Sequence, residues 1–355
     1  MTVRPRAAIT GPLTVLAVLS VLAAALAACG GGKPAGRSVA PAAARWTPAA
    51  HVPAVLDLTG PRADGRFTVA ADGHLSLLAA PPGGAAGSPA PFARDAGGYA
   101  TARGGEPYLV LSTGRAVPGA GCAFPADTVY AIEPSGTPGV ISVDAAGRAR
   151  RVATLAGVRP NGIAFDTVGR FGYRLLVTAA SGRHAAVYAI DCADRVRRIA
   201  KRAPIVEGGL EVAPASFGAY GGDLIAPDEK SGRIWAIGPD GKARQVARSP
   251  LPHGGDVGPE SAAFVPAGIA GDWAAYVADR RSPGNAHPGT DSVLRLPGAD
   301  LVAAGVRPGD LLVASEGGGQ TLAIRCARTC TVRHVADGPP PAHVEGHIIV
   351  AAAPR

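Results

Sequence analysis

Residues 217–248 read FGAYGGDLIAPDEKSGRIWAIGPDGKARQVAR. Three short apolar runs, at 223–226, 233–237 and 243–247, are separated by Glu229-Lys230-Ser231-Gly232 and by Pro239-Asp240-Gly241. Runs of this length joined by tight polar turns read as an antiparallel meander, and one meander cannot bury its own apolar faces. The unit therefore has to recur.

It does recur. The run at 234–237 (IWAI) has counterparts at 74–78 (HLSLL), 140–143 (VISV), 187–190 (VYAI), 293–296 (VLRL) and 322–324 (LAI), and Val143, Ile190 and Ile237 stand 47 residues apart. Following strands are visible from Arg150, Val196, Ala243 and Cys330. Preceding strands are expected from Tyr108, Arg174, Gly222, Ala274 and Asp310, and first strands from Asn161, Leu210 and Ser261. Four short strands repeating every 40 to 50 residues are the pattern of a propeller blade. The expected fold is all-β: a six-bladed β-propeller of four-stranded blades over 53–355. Blades at 250–305 and 306–338 are irregular, the first carrying an insertion at 280–290. The segment 343–353 (HVEGHIIVAAA) is expected to pair near 67–78 and close the ring with the N-terminal strands, which removes exposed edges.

The N-terminus gives an address. Arg4 and Arg6 precede an apolar stretch from Ile9 to Ala28 that ends in Leu26-Ala27-Ala28-Cys29, the order of a secretory signal peptide. Leu-Ala-Ala-Cys resembles the bacterial lipobox, in which the cysteine becomes the acylated first residue. The expected organisation is a signal peptide at 1–28, a flexible tether at 29–52 and the propeller, exported and held on the outer face of the cytoplasmic membrane through Cys29. Cys122, Cys192, Cys326 and Cys330 remain, an even number suited to an oxidising compartment. Cys326 and Cys330 flank a turn and should form a hairpin disulfide, leaving Cys122 with Cys192.

The formal charge of +8 does not indicate nucleic acid. Its cations are mostly scattered Arg, with Lys only at Lys33, Lys201, Lys230 and Lys242, and no basic stripe is interleaved with aromatics. Gly-x-Ser-x-Gly and EF-hand spacing are absent, and Gly317-Gly318-Gly319 precedes no helix, so it reads as a turn.

Residues 159–166 (RPNGIAFD) resemble the PNG-apolar-x-aromatic segment of the SMP-30-like (gluconolactonase) and NHL-type six-bladed propellers. In the lactonases of that group a divalent cation sits in the central tunnel, held by a Glu, two Asn and an Asp. The resemblance carries over to Asn161 as a ligand, whereas the family's Asp-Gly segment of a later blade has no clear counterpart.

Blade geometry extends the candidate set. The loop before a first strand and the loop after a second strand open on one face. Asn161, Glu207, Glu260 and Glu345 precede or begin first strands and should ring the channel mouth. Asp228, Glu229, Asp279 and Glu316 follow second strands and should lie on the rim, with His253, Asp256, His343 and His347 close by. Converging carboxylates repel unless a hard cation such as Ca²⁺ lies among them. Equally, Glu before Gly can cap backbone N–H groups and line a watery channel, and Asn before Gly suits a turn. Two classes follow. One is a monomeric, membrane-anchored propeller binding a small molecule or envelope protein at its channel face, with Ca²⁺ or another divalent cation. The alternative is a metal-dependent hydrolase of the lactonase type. A quinone-dependent dehydrogenase lacks the His/Arg-rich site it would need.

Overall fold

A computed structural model describes residues 44–79, 88–92 and 105–352. The signal peptide, Cys29 and the tether up to residue 43 lie outside the described residues. The regular structure described is almost all strand, with one short α-helix at Gly298–Ala303 and a single 3-10 turn at Gly218–Tyr220.

Six sheets follow one another around a central channel. Blade 1 runs outward from Val55–Thr59 through Arg66–Ala71 and His74–Ala79 to Ala90–Phe92, and blade 2 from Leu109–Leu111 through Val129–Glu133 and Gly139–Val143 to Ala149–Thr154. Blade 3 comprises Arg159–Phe165, Leu175–Ser181, His184–Ile190 and Val196–Ala203. Blade 4 comprises Glu211–Val212, Leu224–Asp228, Arg233–Ile237 and Ala243–Arg248. All six apolar runs recognised by repetition are third strands. In blade 4, Ile234, Ala236 and Ile237 are fully buried while Trp235 is half-buried, which is the alternation expected between neighbouring blades.

The last two blades are interleaved. Pro259–Phe264 is the inner strand of blade 5, but its partner is Leu311–Ser315, followed by Thr321–Cys326 and Cys330–Asp337. The intervening strands Trp273–Asp279 and Ser292–Pro297 belong to blade 6, whose inner strand is Val344–Ala352. The first described strands complete both: Thr47–His51 is the outer strand of blade 6, and Ala44–Arg45 pairs in parallel outside blade 5. Three expectations are corrected. Residues 250–305 are not one blade, residues 343–353 pair with 273–279 and not near 67–78, and strands begin by Ala44, inside the segment read as tether. A fourth concerns blade 2, where the run at Tyr108 is the inner strand and not the second. The ring still closes through both chain ends, as expected.

Six clusters of buried apolar side chains fill the six junctions between blades. Each fully buried Leu, Ile or Phe contributes about 1.5–3 kcal/mol, so every blade depends on its two neighbours. The junction of blades 5 and 6 also buries Trp46, whose indole N–H donates to Thr321 Oγ1 at 2.8 Å. Cys122 is bonded to Cys192, tying blade 2 to blade 3, and Cys326 to Cys330 across a hairpin turn.

A buried ion pair crosses the channel. Asp57 of blade 1 accepts the backbone N–H groups of Leu58, Leu109 and His347 at 2.8, 2.6 and 2.7 Å. It also faces His347 Nδ1 at 3.0 Å, and His347 Nε2 lies 2.9 Å from the carbonyl of Ile163. With both ring nitrogens facing acceptors, His347 is held as the imidazolium. The brace joins inner strands of blades 1, 2, 3 and 6. Asp57→Ala strands an imidazolium and three N–H donors, and should cost about 3–5 kcal/mol by urea denaturation. Val302→Ala on the exposed helix face should stay within about 0.5 kcal/mol.

Candidate functional site

The inner strands carry their polar residues on bulges. In blade 3, Pro160 pairs with Ala179 and Gly162 with Thr178, leaving Asn161 as the extra residue. In blade 5, Pro259 pairs with Ser315 and Ser261 with Ala314, leaving Glu260 as the extra residue. A bulge bends its strand and re-aims one side chain. The glycines after Glu207 and Glu345 serve the same face. Gly208 has φ +77°, and a Cβ there would lie 2.2 Å from Glu260 Cγ. Gly346 has φ +68°, and a Cβ there would lie 2.2 Å from Asp57 Oδ1. Only glycine permits both the turn and the close approach. Gly208 pairs with Gly162, so the Glu260 side chain packs against the strand partner of the residue following Asn161.

These strands, with the loops after second strands, assemble a buried acidic mouth. Tyr108 O–H donates to Glu260 Oε1 at 2.7 Å and lies 3.2 Å from Glu345 Oε2. Arg280 Nη1 donates to Glu345 Oε1 at 2.9 Å and to Glu106 Oε1 at 3.0 Å. His343 Nε2 is 2.9 Å from Glu316 Oε1 and 3.8 Å from Glu345 Oε1. Glu316 lies within 4.8 Å of Glu229, and Glu260 and Glu345 meet at the Tyr108 hydroxyl. Two overlapping triplets result, Glu316/His343/Glu345 and Glu229/Asp256/Glu316, each with one donor atom per residue within 4.8 Å of the others.

Cation charge is scarce there. Two carboxylates about 4 Å apart repel by roughly 4 kcal/mol at an effective dielectric near 20, so protons take up the excess charge. Burial first, then Glu345 and Glu229, pushes Glu316 up to about 11. Burial and then Glu106 push Glu345 up to about 8, against the pull of Arg280. Glu260 is raised well above the ordinary range and Glu229 and Glu207 are raised, each chiefly by burial. A protonated Glu345 can donate to the Tyr108 oxygen, which explains why one phenol contacts two carboxyls. Burial, then Arg280, lowers His343 to about 4, leaving a neutral imidazole.

The expected residues separate by environment. Glu260, Glu345, Glu316, Glu229 and His343 come together, with exposed Asp256 at the solvent edge. Glu207 lies further out, 3.8 Å from Arg159. Asn161 is buried, and neither of its amide atoms has a hydrogen-bond partner among the described residues. Three rim candidates are engaged elsewhere. Asp228 caps its own turn through Ser231 and Trp235 Nε1. His253 packs over Gly232 and faces Leu251 O. Asp279 accepts the His343 N–H at 2.6 Å and the Thr290 hydroxyl, so it positions the histidine without entering the cluster. Tyr108, Glu106 and Arg280 were not singled out by sequence. The first two become visible once 108–111 is placed as an inner strand, and Arg280 follows a recognised second strand.

The all-carboxylate donor set suits a hard cation. Ca²⁺ takes oxygen ligands at 2.3–2.6 Å, so ligand atoms around it lie up to about 5 Å apart, the spread already present in Glu229/Asp256/Glu316, whereas the imidazole of Glu316/His343/Glu345 suits Zn²⁺ better. The partnerless Asn161 amide oxygen is a further donor of the right kind near that layer.

No family model matches the chain, and no curated protein matches it in sequence. Solved structures do. A virginiamycin B lyase from Staphylococcus aureus is 13% identical, with 84% of this chain and 92% of that one covered, at TM-score 0.43. A gluconolactonase from Xanthomonas campestris is 14% identical over 66% and 69%, at 0.41. An auxiliary nutrient binding protein from Bacteroides ovatus is 10% identical over 81% and 60%, at 0.45. Gluconolactonase-like and lyase propellers are thus among the structures similar to this chain. The blade count rests on the strand pairings above, and these likenesses carry nothing about chemistry.

The raised carboxyls set a pH dependence. An acid whose folded value is raised contributes stability fully present below its unfolded value near 4.5 and lost as pH rises through the folded value. For Glu345 that window runs from about 4.5 to about 8. The metal-free chain should therefore lose roughly 5 °C or more of melting temperature between pH 5 and pH 8, and Glu345→Gln should flatten that slope. Scanning calorimetry across the range checks it.

Proposed function

We propose that the chain is an exported propeller, tethered to the outer face of the cytoplasmic membrane through a lipid on Cys29, that binds a small polar ligand at the channel mouth by way of a divalent cation. The observation that supports this reading is the pair of donor triplets sharing Glu316 in a mouth with more carboxyls than cations. Such a cluster is held together by protons when empty and by an ion when loaded. Glu229, Asp256 and Glu316 would hold the ion, with His343 and Glu345 beside it and Asn161 and Glu260 lining the adjoining channel. Bound there, the ion would supply a positive centre for a ligand carboxylate, hydroxyl or carbonyl. Because Asp256 is the exposed member, that edge would admit the ligand.

A second reading, a metal-dependent hydrolase of the lactonase type, is favoured by one feature. His343 is a neutral imidazole beside the proposed ion and can accept a proton from water.

Elemental analysis and thermal shift test the common part. The purified chain should carry about one Ca²⁺, or melt higher on its addition; at one hundred times the dissociation constant the gain is about 2.7 kcal/mol. Glu316→Gln removes the residue shared by both triplets and should abolish the response. A chain free of metal whose melting ignores Ca²⁺, Mg²⁺, Mn²⁺ and Zn²⁺ would overturn the cation. Turnover of aldonolactones by the loaded chain, lost in His343→Ala with metal retained, selects the hydrolase; no turnover removes it. The anchor is tested separately: Cys29→Ala should release the protein from the membrane fraction, and a fully membrane-bound variant would refute the lipid.

A further inference from the structure

The opposite mouth of the channel differs in chemistry. Below the Asp57–His347 brace lies a cavity of about 270 Å³ formed where the inner strands end. Its walls are mostly apolar, with Leu111, Phe165, Phe264 and Val350 among them. Of these Leu111, Phe264 and Val350 are only half-buried, in a fold where few large apolar side chains reach solvent.

One carboxyl stands in that apolar wall. Glu211 Oε2 accepts the Phe264 N–H, and Oε1 makes no hydrogen bond among the described residues. No Arg or Lys lines the cavity. The one ionisable neighbour there, His347, already faces Asp57 at 3.0 Å and the Ile163 carbonyl at 2.9 Å, so it has no N–H left for Glu211. The cavity thus offers a free acceptor on a carboxyl with no hydrogen-bonded cation, in a mostly apolar wall, where the one positive charge nearby, His347, is already paired with Asp57. Burial pushes Glu211 up to about 7, against the pull of the Phe264 N–H and of the His347 charge.

We propose that this lower cavity is a second ligand site, for a small organic ammonium ion. Its apolar body would lie against Leu111, Phe165, Phe264 and Val350, and its N–H groups would meet Glu211. A bare metal ion does not fit, since one carboxyl among apolar walls cannot supply six or more oxygens. An anion meets no free donor on a charged side chain. A neutral apolar molecule would leave the carboxyl unpaired, at a cost in affinity. The volume is just below the usual range for drug-sized ligands, which restricts the guest to a single ring or a short chain.

Calorimetric titration of the full chain with benzylammonium, and with neutral benzyl alcohol as control, tests this. The ammonium should bind at least tenfold more tightly than the alcohol, and Glu211→Gln, which keeps an acceptor for the Phe264 N–H, should remove that preference. Leu111→Trp, which fills the cavity from a half-buried position, should abolish binding of both and decides the matter if the Gln variant does not fold. Glu316→Gln at the other mouth should leave ammonium binding unchanged, which separates this site from the cation reading. Failure of the wild type to bind benzylammonium at millimolar concentration, equal affinity for the alcohol, or unaltered binding by Leu111→Trp would each overturn the proposal.

Discussion

The Asp57–His347 pair is the constraint on which the rest of this propeller depends. Inner strands meet around a channel that side chains have to fill or leave wet. Here one carboxylate satisfies three backbone donors and an imidazolium, while the second ring nitrogen reaches a carbonyl of blade 3. A buried charge pair is costly when any lone pair or proton is left over, and favourable only when the whole set is matched. Because the matched set spans four blades, it fixes how the ring closes as well as how its centre is filled. Gly346 belongs to the same constraint, since a side chain there would occupy the place of Asp57.

The brace divides the channel into two compartments. On the side where inner strands begin, bulges at Asn161 and Glu260 and the Glu-Gly steps at 207–208 and 345–346 deliver polar groups. On the side where they end, the same strands present Leu111, Phe165, Phe264 and Val350. The alternation of a strand sets which residues face inward, and the bulge changes that phase once along its length. One mouth can thus be acidic and the other greasy without any change in blade architecture.

Much of the ring was legible because third strands sit between two blades and must be apolar. That requirement produced the runs at 140–143, 187–190 and 234–237 with their constant spacing. The order of pairing in the last two blades was not legible. Sequence reading joins consecutive strands, and 259–264 followed by 273–279 and 292–297 looks like one blade; only tertiary contacts reveal that the latter two pair with 344–352. The strands at 44–51 were hidden by a composition rich in Ala and Pro, although Trp46 is wholly buried. In the site, a Glu beside an inner strand was visible as a pattern, and Glu260, Glu316 and Glu345 do converge. Asp228 had the same pattern, but its short side chain is satisfied by the turn it caps, so pattern alone could not separate a capping carboxyl from a clustered one. Tyr108 was missed through its strand assignment, since a second-strand residue at that position would point away from the mouth.

The acidic mouth also constrains how any ion could act there. A cation entering the Glu229/Asp256/Glu316 triplet must displace the proton on Glu316, whose value burial and its carboxylate neighbours have raised, as burial has raised that of Glu229. Ion affinity on the proposed reading therefore rises with pH, because proton and metal compete for the same oxygens. In the inner triplet Glu316 and Glu345 must likewise give up protons, and only His343, already neutral, ligates without losing one. An ion drawn towards His343 and Glu345 is sequestered behind Glu316, whereas one drawn towards Asp256 keeps a solvent-facing side. Hydrolysis needs an open coordination position and a nearby base at once. Only an ion held through Glu316 at the solvent side, with His343 left unligated, meets both conditions. Binding a polar ligand needs just the open side. The geometry asks less of a binding site than of a catalyst, and on the proposed reading that asymmetry favours ligand binding over hydrolysis.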